Sequence, residues 1–90
     1  MTAKEVSKMT HEQLISQLRA IANAAMNPDG APPSLDSYDK RSDTARLIGK
    51  ELNKRGGFSA MKNALERDLG WIPGCRTIEG FWDGIGSWLG

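Results

Sequence analysis

The chain has 90 residues, 39% of them hydrophobic and 26% charged, with a formal net charge of +1. That length supports one modest core and excludes a second, and the composition excludes wholesale disorder. The near-neutral balance gives no overall pull toward nucleic acid or anionic membrane. No apolar run is long enough to span a bilayer, and a lone cysteine excludes an internal disulfide.

Residues 1–9 are polar, lack the apolar stretch of a secretory signal, and read as a flexible N-terminal segment of a cytoplasmic protein. A single helical domain is expected over 10–90. Thr10 and Gln13 have the spacing of a capping box, in which side chain and backbone at positions three apart satisfy each other. Leu14, Ile15, Leu18, Ile21, Ala22, Ala25 and Met26 then share one helical face, which predicts a helix over 10–26. Asn27-Pro28-Asp29-Gly30 ends it with turn chemistry, and Ala31-Pro32-Pro33 keeps the chain extended.

The next helix has two candidate starts, Ser34 and Ser42, the later one leaving 27–41 as a long loop. Tyr38, Ala45, Ile48 and Leu52 hold one register and favour the earlier, giving a helix over 35–55 stopped by Gly56-Gly57. A third helix over 58–69 follows, with Phe58, Met61, Leu65 and Leu69 inward. Gly70 and Pro73-Gly74 end it.

The tail from Thr77 holds two opposed signals. Ile78, Phe81, Trp82, Ile85, Trp88 and Leu89 fall within an arc of about 120°, one core-facing stripe. Gly80, Gly84 and Gly86 lie in the same stretch, and each costs a helix roughly 1 kcal/mol relative to alanine. Aromatic area on so loose a backbone predicts a helix over 76–89 formed by packing, with the flanking glycines admitting a close neighbour. Ala45 and Gly49, four apart, are the expected mates. The whole reads as an all-α, compact four-helix single domain.

The even total charge hides a basic middle. Between Lys40 and Arg67 eight bases face three acids, a local +5 against −4 elsewhere. Arg46, Lys50 and Lys54 recur every four residues on one helix face and, with Lys62, form a candidate contact for phosphates. A solvated helix face explains the same pattern. Cys75 stands beside Arg76 at the head of the last helix, a setting that lowers a thiol pKa. However, the only histidine, His11, belongs to another helix, so a structural thiol is the expected role. No Cys-His cluster, calcium loop or glycine-rich phosphate loop is present, and no motif calls for a cofactor or metal.

Two local patterns, Gly56-Gly57-Phe58 with Met61 and Trp82-Asp83-Gly84-Ile85-Gly86 with Trp88, resemble those of small uncharacterised bacterial helical proteins. The resemblance covers roughly the second half of the chain. It implies a bacterial source and brings no activity, ligand or catalytic residue with it.

The expected role is a non-enzymatic protein-interaction or oligomerisation module. Phe81, Trp82, Trp88 and Leu89 are the candidate contacts for a protein partner or a second copy, since tryptophan is enriched at binding hot spots. The same rings filling the core is the competing explanation. Nucleic-acid binding through Arg46, Lys50, Lys54 and Lys62 is the alternative. Membrane binding is set aside, because Glu79, Asp83 and Ser87 on the polar face of the tail suit no anionic lipid.

Overall fold

The computed structural model describes residues 1–88 and holds four α-helices: α1 (Ala3–Ser7), α2 (His11–Met26), α3 (Tyr38–Asn63) and α4 (Cys75–Phe81). Tight 3-10 turns occupy Pro28–Gly30 and Pro33–Leu35, and a π-helical segment, Ala64–Asp68, prolongs α3. No strand occurs among the described residues, and the all-α class stands. A radius of gyration of 11.7 Å agrees with about 12 Å for one close-packed chain of this length.

The expected box at α2 forms. Gln13 N–H donates to Thr10 Oγ1 at 3.2 Å, and Thr10 N–H donates to Gln13 Oε1 at 2.8 Å. Leu14, Leu18, Ile21 and Ala22 are fully buried, whereas Met26, placed on the same face by its spacing, is exposed at the last position of the helix. The first nine residues depart from their expected flexibility. Thr2 and Glu5 close a second capping box around α1, and Val6 is only 1% exposed. The box closes the turn on itself, and the buried valine, with Arg55 donating to Ser7 O and Met9 O, fixes it to the body.

α3 starts between the two candidates, at the cap Ser37, whose hydroxyl accepts from Lys40 N–H at 3.2 Å. Ser34 lies instead in the turn Pro33–Leu35, which seats Leu35 in the core. Tyr38 is exposed rather than inward, its ring edge-on to Phe81 at 5.2 Å. The glycine pair does not separate two helices outright. The hydrogen-bonded run continues to Asn63 with one non-helical residue, Gly57 (φ 68°, ψ −157°), at a kink. Met61, Leu65 and Leu69 are buried as expected, but Phe58, the first residue past the kink, is not.

The tail is the largest correction. α4 ends at Phe81, well short of 89, because Gly84 and Gly86 take left-handed backbone conformations (φ 88° and 57°) that glycine alone reaches cheaply. Short turns replace the helix: Ile85 N–H bonds Trp82 O, Trp88 N–H bonds Ile85 O, and Gly84 N–H bonds Trp88 O. Burial follows the expected stripe all the same. Ile78, Phe81, Trp82, Ile85 and Trp88 all belong to the core. Ala45 and Gly49 do receive the tail, but through a side chain: the Trp82 indole lies over Gly49 and its Nε1–H donates to Ala45 O at 2.7 Å.

Candidate functional site

The residues expected to face a partner are mostly interior. Trp82 is 0% and Trp88 7% exposed, and Phe81 is buried beside them. Phe81 and Trp82 therefore fill the core instead of forming a surface, because the turned tail folds their rings against α3, and Trp88 keeps only a small exposed area. Leu89 lies outside the described residues.

The basic stripe is also reassigned in part. Arg46 Nη1 donates to Phe81 O at 2.6 Å and to Asp83 O at 3.0 Å, closing the carbonyl end of α4. Three more arginines act alike. Arg41 bonds Leu35 O, Arg55 bonds Ser7 O and Met9 O, and Arg19 bonds Asp68 O. Each of the four thus holds the carbonyl of the last residue of an element: a turn, a helix or the π segment. Much of the basic middle is spent on internal capping. Lys50 and Lys54 remain exposed on α3, and Lys62 sits 4.0 Å from Glu66.

Cys75 is buried. Desolvation pushes its thiol pKa up, outweighing the lowering effects of the Ile72 backbone and Arg19. A thiol raised in this way is a poor nucleophile at neutral pH. His11 pairs with Asp68 instead, Nε2 to Oδ2 at 2.8 Å, in a hollow that Ser16 also lines. Ser16 makes no hydrogen bond to His11, so no nucleophile–base pair is assembled there. No group of three His, Cys, Asp or Glu residues suited to a metal occurs among the described residues, and no helix among them is long and apolar enough to cross a membrane.

The His11–Asp68 contact makes stability depend on acid. Burial pulls the Asp68 carboxyl pKa upward, but hydrogen bonds and charge from His11 and Arg67 outweigh it and leave the pKa below the ordinary value. A carboxyl depressed in the folded state stabilises it above the unfolded pKa, and that contribution is lost as pH falls through the folded value. Urea unfolding from about pH 5 down to about pH 2 is therefore expected to reveal a steeper loss for the native chain than for Asp68→Asn. Parallel pH profiles would contradict it.

Two of the three aromatic side chains left outside the core converge on one place, while the third, Tyr38, packs on Phe81. Phe58 (45% exposed) and Trp71 (49%) line a cleft of about 250 Å³ with Trp88, Leu65, Lys62, Glu66 and Glu79. Phe58 lies 5.2 Å from Trp88, which in turn meets Trp82 edge-on at 5.2 Å, so the cleft is the outer end of the core's aromatic chain. Trp88 Nε1–H is held by Glu79 O at 3.1 Å.

Trp71 is the only non-glycine residue with positive φ among the described residues (57°). It follows Gly70 (φ 66°), and its N–H reaches back to Leu65 O at 2.9 Å. A bulky residue held this way costs roughly 1–2 kcal/mol, and strain of this kind clusters at ligand clamps. The sequence carries a partial signal for it in Gly70-Trp71, a tryptophan immediately past a helix stop. A larger hollow of about 520 Å³ lies between α2 and the prolines, but it has no charged side chain and no strained residue. The aromatic cleft is the stronger site.

No known protein family, curated protein or solved structure matches the chain.

Proposed function

We propose that this protein is a binding module that captures a segment of another polypeptide in the cleft between Phe58 and Trp71. The observation that carries the reading is two large rings, each about half exposed, on the rim of one cleft floored by Trp88. Exposed aromatic surface that continues inward as a packed core is how rigid binding anchors are built. At about 250 Å³ the cleft is smaller than the roughly 300–1,000 Å³ of small-molecule sites. That size favours one or two side chains of a polypeptide.

The strained backbone at Trp71 supports the same reading and supplies its test. Glycine there relieves left-handed strain of about 1–2 kcal/mol, offsetting lost packing and added chain entropy. Trp71→Gly is expected to keep stability within about 1 kcal/mol of the native chain. Peptides selected from a random library on the native protein should nevertheless bind this variant about 30-fold more weakly, the loss typical of a hot spot. Phe58→Ala should behave alike. Undiminished binding to both variants would refute the site.

The nucleic-acid alternative loses Arg46 to the end of α4 and keeps Lys50, Lys54 and a loosely paired Lys62, and no further observation favours it.

A further inference from the structure

We propose that the cleft receives a basic side chain, the guanidinium or ammonium tip of an arginine or lysine in the bound segment. The proposal rests on the polypeptide-binding reading above and names the chemistry of what enters. The rings supply half of the argument. The faces of tryptophan and phenylalanine carry partial negative charge and attract cations, tryptophan most strongly.

Charge supplies the other half. Two acidic residues, Glu66 and Glu79, line the cleft against one lysine, Lys62. Lys62 lies 4.0 Å from Glu66, and both are well exposed, so that pair is loose. Glu79 is partly buried, and its carboxylate has no ion-pair or hydrogen-bond partner among the described residues. An incoming apolar group would bury Glu79 further with nothing to compensate it. An anion would meet repulsion from both the carboxylates and the ring faces. A cation satisfies both at once, and a guanidinium, weakly hydrated and planar, can stack on an indole while bonding a carboxylate.

The test uses two probes of equal length, n-butylguanidinium and its neutral analogue n-butylurea, titrated into the full chain and followed by the indole N–H resonances of Trp71 and Trp88. The guanidinium is expected to bind about tenfold more tightly than the urea, a preference that Glu79→Gln reduces to about twofold or less. Lys62→Gln, which removes the competing ammonium, should strengthen guanidinium binding. Resonance dispersion in each variant reports that it remains folded. Equal affinities for the two probes, a preference untouched by Glu79→Gln, or no response to either would overturn the proposal. Equal affinities would leave the polypeptide-binding reading standing, since that falls only if the library peptides ignore Trp71→Gly and Phe58→Ala.

Discussion

Gly74→Ala is expected to destabilise the protein by about 2–5 kcal/mol, a large share of the roughly 5–13 kcal/mol typical for a chain of this length. Two independent costs meet at this residue. Its φ of 100° is a conformation that side-chain-bearing residues rarely adopt, worth about 1–2 kcal/mol. A Cβ would also run into the backbone of α2, against Ala22 O and within 2.7 Å of Ala22 Cα and 2.8 Å of its carbonyl carbon. Backbone cannot swing aside as a flexible side chain can, so α2 and α4 must part, at about 1–3 kcal/mol for overpacking. The melting temperature should fall by roughly 8–40 °C, using about 4–8 °C per kcal/mol for a domain of this size. Gly80, inside α4 with no neighbouring atom within 4 Å of an added Cβ, is the control. Alanine there should stabilise by up to about 1 kcal/mol. Equal effects at the two positions would refute the packing described between α2 and α4.

Trp82→Ala is the second severe change. The indole is fully buried and donates to Ala45 O, and truncation of such a ring costs about 3–5 kcal/mol. Its fit against Gly49 gives the sharper readout. An added Cβ on Gly49 would lie 2.5 Å from Trp82 Nε1 and 2.6 Å from Cδ1. In the native chain Gly49→Ala should therefore destabilise, although alanine is the better helix former by about 1 kcal/mol. With Trp82 already truncated the obstruction is gone, and the same substitution should become stabilising. Urea denaturation of the two single variants and the double variant measures this reversal as a coupling energy. Additive effects would show that the indole does not rest on Gly49.

How far these contacts were legible in the sequence depends on the kind of signal each one leaves. The start of α2 was plain because a capping box followed by apolar residues at helical spacing specifies both boundary and face. An equivalent box at Thr2 and Glu5 leaves a weaker signal, because only Val6 and Met9 follow it before the next cap, and two apolar residues carry little periodicity. The tail shows what periodicity does report. Ile78, Phe81, Trp82, Ile85 and Trp88 share a helical stripe and are all buried, yet the helix stops at Phe81. The pattern encoded which side chains go inward. The penalties at Gly84 and Gly86 encoded how the backbone gets there.

The cleft was less accessible to sequence reasoning. Phe58 has the register of an inward residue, and its exposure follows from the kink at Gly57, whose direction no local pattern specifies. The exposure of Trp71 depends on a left-handed backbone that no residue type announces. Arg46 seemed available to phosphate only because its acceptors lie 35 and 37 positions further along the chain.

The arginine clamps bear on how the molecule meets changing acidity. A guanidinium stays protonated across the whole accessible range, and a peptide oxygen has no proton to gain or lose there. The seams fastened by Arg19, Arg41 and Arg46 therefore join groups that neither gain nor lose a proton, whereas Arg55 is also held by the Glu51 carboxylate at 2.6 Å. The carboxylate held below its ordinary pKa is that of Asp68, and there Arg19 keeps hold of the Asp68 main chain as well. Protonating Asp68 would remove its side-chain bond to His11 and leave the clamp of Arg19 on its main chain in place.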